Sequence, residues 1–289
     1  MCVISGLLVN MPTMATTAIA SCIFSAEIVL SIITLSINGV VLNSLVHNRK
    51  VKSKHFNMLL VKMTFDSSFL LGTIVYSGSV LLNLAGIINR PNILFFTGNV
   101  VESLEAAVGA LHLFLSLDRL CAMKRPVEYE TISAKIQKVT VLFIAATFII
   151  CFVLYGVTRD SQQIDAKHLF SHFVNVHVQV DVHIVTFCVF LLSLLASVKF
   201  SVEYKRYLNT RVVSTTATDV NKVKKINRVV LHLLVSEFLL LIVPNTVEIV
   251  LKKIFDGNEV HRYGPINHPL IVVYTTLSAI VFCAIFPKK

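Results

Sequence analysis

Charge is what this chain has least of. Only 15% of its 289 residues are charged, against 55% hydrophobic, and the mean hydropathy is +0.76. A soluble domain needs more polar surface than that, so the long apolar runs read as membrane spans. Motifs for metal or covalent chemistry are missing as well. The six cysteines (Cys2, Cys22, Cys121, Cys151, Cys188 and Cys283) show no Cys-x-x-Cys or Cys/His spacing, so neither a metal site nor a disulfide framework is expected. Neither His-Glu-x-x-His nor Gly-x-Ser-x-Gly occurs. The expectation is no enzyme and no cofactor. The first 17 residues carry no Lys or Arg, so no cleaved secretory signal is expected and the first span acts as the targeting signal. No repeat, low-complexity tract or linker breaks the chain, which implies one domain over residues 1–289.

What the chain has is seven apolar segments, near 18–46, 57–84, 92–118, 138–158, 182–200, 229–251 and 269–287. Each is long enough to cross a hydrocarbon core of roughly 30 Å as a helix, and lipid requires helices because it offers backbone amides no partner. The fold expectation is therefore an all-α membrane protein, a seven-transmembrane helix bundle. The net charge of +10 would suggest nucleic acid in a soluble protein, but the Lys and Arg residues sit in short loops. With the N-terminus outside and the C-terminus inside, nineteen fall on the inner side and six on the outer, and Lys62 lies within a span. That bias is a topology signal, and the partner it implies is the lipid bilayer rather than nucleic acid.

Ionisable groups within spans are functional candidates. In the third span Glu102, Glu105, Gly109, His112, Ser116 and Arg119 recur at spacings of 3, 4, 3, 4 and 3, one helical face. A polar face on a lipid-crossing helix looks into the bundle. Glu102 and Glu105 are candidates for an external ligand pocket, with Asn245 and Glu248 beyond the sixth-span Pro244; the plainer reading is that such residues only bond neighbouring helices. Their acidity favours a cationic or hydrogen-bonding ligand if they are ionised. Lys62 and Asp66, four residues apart, either pair with each other or leave Lys62 to snorkel to the surface. Asn38, Lys62, Asp66, His112 and Ser116 form the expected internal polar network. Pro244 removes a helix hydrogen bond mid-span and supplies a pivot. One stretch breaks the helical period. From Val174 to Ile184, Val or Ile alternates with Asn175, His177, Gln179, Asp181 and His183. Period 2 predicts an extended segment in the second outer loop, half of a hairpin lid; the other reading is that the fifth helix starts early. His168, His172, His177, His183, His261 and His268 are placed outside the membrane.

At the inner end of the third span stands Asp118-Arg119, followed by Pro126 and Tyr129. This Asp-Arg-x-x-x-x-x-x-Pro-x-x-Tyr pattern resembles the third helix and second inner loop of rhodopsin-like G-protein-coupled receptors. Asn38 and Asp66 resemble the polar pair of that family's first two helices, and Phe238 six residues before Pro244 resembles its sixth. The whole is most similar to nematode serpentine chemoreceptors of class BC. The resemblance implies a chemosensory receptor for a small external molecule, coupled to a heterotrimeric G protein. It would lie in the plasma membrane, multi-pass, at the ciliated endings of sensory neurons. In it Asp118, Arg119, Pro126, Tyr129, Phe238 and Pro244 would make the coupling switch.

Departures from the rhodopsin-like pattern are plain. No Cys stands at the top of the third span, Asn-Pro-x-x-Tyr is absent from the seventh, and there is no Trp anywhere. Ile242 fills the sixth-helix Trp position, and Lys224 and Lys225 replace the usual acid near its inner end. With that acid gone, Asp118 is the expected partner of Arg119. The seventh span also has no Lys to bind retinal, which disfavours an opsin. The alternative is a non-signalling seven-span protein such as a transporter or receptor-assembly factor. A transporter, however, would need internal repeats or paired broken helices.

Overall fold

The computed structural model describes residues 13–47, 57–88, 90–124, 126–159, 170, 173–211, 235–244, 246–247 and 267–285. Among the described residues the α-helices are α1 Thr13–His47, α2 Asn57–Leu84, α3 Pro91–Lys124, α4 Pro126–Val157, α5 Val176–Arg211 and α6 Asn267–Ile285. Five of them contain stretches long and apolar enough to cross a membrane, judged by length and composition. These are Thr17–Ser44, Met58–Leu84, Pro91–Lys124, Thr131–Val157 and His177–Arg206. A shorter apolar helix, His268–Ala284, lies within α6. The architecture is all-helical and consistent with a seven-span bundle.

Several helices outrun their apolar runs. α3 continues past Leu117 to Lys124, and α4 opens at once with Pro126, whose missing N–H is no loss in a first turn. α5 also begins earlier than its apolar run, at Val176, so the alternating stretch is helical rather than extended. Among the described residues an isolated antiparallel bridge joins Arg159 and Val174. The helical period wins because Gln179, His183, Thr186, Phe190, Ser193 and Ser197 recur at spacings of 4, 3, 4, 3 and 4. That face is turned inward, and all but Ser197 are fully buried. The alternating valines of the same stretch were compatible with both periods.

The described part of the sixth apolar segment centres on a π-helical turn, Phe238–Ile242. Pro244 has no amide hydrogen to give, and just ahead of it the Val243 N–H bonds to the carbonyl of Phe238. The ladder is widened by one residue there, a local wide turn of the kind found at functional positions.

α3 is the centre, packed against α2, α4 and α5, while α1 packs on α2 and α6. Pair distances give the directions. Asn99 bonds the carbonyl of Phe152 near one end of the α3–α4 pair, and Asp118 bonds Tyr129 near the other, so the two run antiparallel. α3 and α5 run parallel, as Glu102–His183 and Ser116–Ser197 show. We call the end bearing the α2–α3 and α4–α5 connections upper, and the end bearing the α3–α4 connection lower. Outward-facing Leu142, Phe143, Ile149 and Ile150 of α4 and Ile32 and Ile33 of α1 are exposed, as lipid contacts would be. Between apolar helices in lipid there is little hydrophobic drive, so close packing and polar bonds must hold the bundle.

At the upper end Phe170, from the α4–α5 connection, is buried against α3. A Cβ at Gly98 would lie 2.5 Å from that of Phe170, so Gly98 is the notch that admits it. The ring stacks on Phe95 at 5.8 Å and meets Tyr155 edge-on at 5.5 Å, while its backbone N–H donates to the Tyr76 hydroxyl at 3.3 Å. Arg159 lies over the Phe95 ring at 4.5 Å and donates to Asn92 at 2.5 Å. This packing fastens the connection where no cysteine pair is available.

Candidate functional site

Polar residues inside the bundle gather in an upper and a lower tier. The upper tier draws on five helices. Glu27 of α1 accepts from the Ser77 hydroxyl of α2 at 2.6 Å, and its other oxygen lies 3.1 Å from Nδ1 of His268 on α6. The far ring nitrogen of His268 lies 3.3 Å from the Thr73 hydroxyl. On the other side of the tier, Glu102 of α3 lies 3.4 Å from Nε2 of His183 on α5. Glu105, one turn below Glu102, is also buried. Both sides lie at the upper end of the bundle, where Glu27, Glu102, Glu105, His183 and His268 are all buried.

The order Thr73–His268–Glu27 has the form of a hydroxyl–imidazole–carboxylate relay, but it lacks what a nucleophile needs. Thr73 is fully buried in mid-helix and gives its proton to the Phe69 carbonyl at 3.0 Å. The arrangement binds helices together and holds protons; it does not present an attacking oxygen.

The middle joins the tiers. The Tyr274 hydroxyl of α6 lies 3.2 Å from Nδ1 of His112, whose ring also meets Phe190 of α5. Thr34 of α1 and Thr276 of α6 share a bond at 2.7 Å.

In the lower tier Lys62 and Asp66 of α2 form a buried ion pair, with the ammonium 5.7 Å from the ring centre of Phe282 on α6. An ammonium inside the bundle is tolerable only with such a partner. Asn38 of α1 reaches Ser67 beside it at 3.5 Å. Ser116 of α3 bonds Ser197 of α5 at 2.7 Å. Glu237, at the mouth of the π-turn, is buried. At the bottom, Tyr129 of α4 donates to the Asp118 carboxylate at 2.8 Å, with both side chains only 1% exposed. Burial first, and then the bond to Asp118, hold the Tyr129 phenol above its ordinary range, so it stays a donor. Arg119 is half-buried next in the chain.

This bottom arrangement joins the Asp and Tyr of the motif through one bond across the α3–α4 connection. The chain matches the family model for serpentine type 7TM GPCR chemoreceptor Srbc over residues 14–289. It belongs to that family. No match was found among curated proteins. A serpentine chemoreceptor is a multi-pass membrane protein of a receptor family rather than an enzyme family.

Within this chemoreceptor, the structure brings together Asn38, Lys62 and Asp66 in the lower tier, Ser116 with α5, and Glu102 with Glu105 in the upper tier. The Asp118 carboxylate accepts from the Tyr129 hydroxyl. Phe238 is 46% exposed on the outside of the π-turn, not packed in the bundle, and Pro244 is half-buried. Asn245 and Glu248, like Lys224 and Lys225, lie outside the described residues, and so does the Pro126 side chain. Two histidines placed in outer loops belong elsewhere: His183 and His268 are buried on α5 and α6 and paired with carboxylates. Of the others, His177 is exposed in the first turn of α5, and His168, His172 and His261 lie outside the described residues.

Four buried polar residues were given no site role by the sequence reading: Glu27, Glu237, Gln179 and Tyr274. The first two carried a usable signal, since each is a lone acid inside an apolar run. Tyr274 carried none, because a tyrosine within a span is ordinary. Among the described residues no group of His, Cys, Asp and Glu could hold a metal, and Cys22, Cys121, Cys151, Cys188 and Cys283 are free thiols.

Proposed function

We propose that the chain, as one seven-span domain over residues 1–289, is a G-protein-coupled chemosensory receptor with its N-terminus outside the cell. The upper tier then faces outward and is where a small external molecule binds. The lower end faces the cytoplasm and meets a heterotrimeric G protein. The observation that carries this reading is the single inward face of α3. It holds Glu102 and Glu105 in the upper tier, His112 in the middle bonded to α6, Ser116 below bonded to α5, and Arg119 at the bottom, beside Asp118, which turns to Tyr129 of α4.

Ligand in the upper tier shifts the populations of two bundle states by binding one better than the other. The π-turn ahead of Pro244 widens the helical ladder of the sixth segment and so is the place for a pivot. Displacing the segment below it frees Arg119 to face the G protein. Glu237 lies buried at that turn, which packs on α5 and α6. The receptor works in the plasma membrane at the exposed endings of sensory neurons. Coupling is tested by Arg119→Glu in cells expressing the full chain. Signalling should be lost while surface expression, read by antibody on intact cells, stays within about twofold of the wild type. Normal signalling by that variant would sink the coupling mechanism.

A further inference from the structure

We propose that the seam between the lower halves of α3 and α4 is a binding site for an anionic phospholipid of the surrounding bilayer. One acyl chain lies along the seam, and the head group meets two lysines at its lower end. The site follows from the bundle and its lipid surroundings, and it does not depend on a ligand in the upper tier or on a G protein.

The first observation is an opening in the cover of α3. This helix is the centre of the bundle, and from Val101 to His112 every residue except Leu104 is buried. From Leu113 to Lys124 only Asp118 is buried, and Leu117, Cys121 and Lys124 are exposed. Its neighbours α4 and α5 pack on α3 far more than on each other. Below His112 they leave an outer strip of the central helix uncovered.

The second is the make-up of that strip. Phe114, Leu117, Cys121 and Lys124 recur at spacings of 3, 4 and 3, which is one helical face. On α4, Lys135, Val139 and Phe143 recur at intervals of 4, again one face. The rings of Phe114 and Phe143 lie 5.1 Å apart, so the two faces share one side of the seam. Because α3 and α4 run antiparallel, both faces descend from this ring pair to a lysine. Between the rings and the lysines the walls are apolar and open, with Leu117 40% and Val139 49% exposed. In a bilayer an open apolar groove is filled by an acyl chain.

The third is length and charge. Phe114 and Lys124 are 10 residues apart, which is about 15 Å of helix. That is half of a roughly 30 Å hydrocarbon core, the depth of one leaflet. Lys135 stands at a similar distance below Phe143, and both lysines are exposed, one on each wall. They therefore arrive together at the depth of the head groups. Of the described acids at this end, Asp118 is buried against Tyr129, and Glu128 lies two turns of α4 below Lys135. A phosphate oxygen suits the two ammonium groups, and the attached chain suits the strip above them. A zwitterionic head group would bring a cation of its own to the lysines. A free phosphate would leave the apolar strip uncovered.

The chain has no tryptophan, so a single one placed in the seam reports from there alone. Leu117→Trp is made in the full chain and reconstituted in phosphatidylcholine bilayers. Phosphatidic acid with dibrominated acyl chains is titrated in, and contact with bromine quenches the fluorescence. Brominated phosphatidylcholine gives the reference. Phosphatidic acid should be preferred at this site about tenfold or more, since each basic side chain near an anionic lipid contributes about fivefold. Lys124→Gln and Lys135→Gln should each reduce the preference about threefold or more, and together they should bring it below about twofold. Lys205→Gln, which removes an exposed charge from α5, should leave it unchanged. Glycerol phosphate, the free head group, should not relieve the quenching. Val139→Trp on the α4 wall is a second reporter and decides if Leu117→Trp does not fold. The unfolding midpoint of the wild-type chain in nanodiscs needs no reporter. It should rise with phosphatidic acid, and in the double lysine variant it should not. The proposal is overturned if the preference is below about twofold, if the seam lysines leave it unchanged, or if Lys205→Gln lowers it as much as they do. Competition by glycerol phosphate would overturn the lipid in favour of phosphate alone.

Discussion

The two polar tiers of this bundle are built on opposite plans. Bonds of the upper tier join helices far apart in the chain: Glu27 with His268, and Glu102 with His183. The charged groups of the lower tier instead pair with near neighbours, Lys62 with Asp66 one turn away on α2 and Asp118 with Tyr129 across the α3–α4 connection, while hydroxyls such as Ser116 and Ser197 make its long-range bonds. Among the described residues the bases of the upper tier are imidazoles, whereas the lower tier has the ammonium of Lys62. The difference is instructive about division of labour. Local pairs hold whatever the rest of the bundle does, so they suit the part that must survive a change of state. Pairs that cross between helices sense the relative position of those helices, so they suit the part that reports a ligand.

The largest effect should come from breaking the lower pair. Lys62→Met leaves Asp66 buried without its cation and should cost about 3–5 kcal/mol. The expected result is loss of folded receptor, measured by yield and unfolding midpoint in nanodiscs. Adding Asp66→Leu should restore most of it. A single Lys62→Met variant as stable as the wild type would mean that the pair is not the anchor of the lower tier.

A smaller effect is expected for the upper cross-helix pair. Glu27→Gln and His268→Gln should each cost about 1–3 kcal/mol, since each leaves a buried partner imperfectly satisfied. The double variant should cost less than the sum of the two, which a double-mutant cycle reads directly. Additive losses would show that α1 and α6 are not coupled through this bond, and the contrast between the tiers would lose its upper half.

The smallest is Tyr129→Phe, which removes one bond to Asp118 and should cost about 1 kcal/mol. Because the phenol is held above its ordinary range, that bond does not titrate near neutral pH. The variant's signalling should therefore differ from the wild type by the same factor at pH 6 and pH 8. A ratio that changed with pH would assign the titrating group to Tyr129 and contradict its burial.

How much of this was legible in the chain follows the same contrast. Lys62 and Asp66 could be paired from spacing, because four residues on a helix bring two side chains to one face. The motif from Asp118 to Tyr129 could be recognised for the same reason, since its parts are close in sequence. Glu27 and His268 could not be joined by any local rule. His268 looked like a loop residue because it sits at the edge of an apolar run, and it is buried by the contacts of α6 with Glu27 of α1 and with Thr73 and Tyr76 of α2. The alternation from Val174 to Ile184 misled because valine satisfies both periods, and the inward polar face of α5 decides between them only once α3 stands opposite. The π-turn at Phe238–Ile242 left just one trace, Pro244, which marks a disturbed ladder without saying how it is relieved.

Composition and spacing alone determine that the chain is helical and belongs in a bilayer, because scarce charge and lipid's lack of hydrogen-bond partners allow little else. They also determine the local pairs and the polar face of α3, because a helix fixes what lies three and four residues away. Which helices those faces meet is decided only by the tertiary structure. It brings three carboxylates and two imidazoles from α1, α3, α5 and α6 to the buried upper end of the bundle, since long-range contacts depend on how whole helices pack and not on any interval in the sequence.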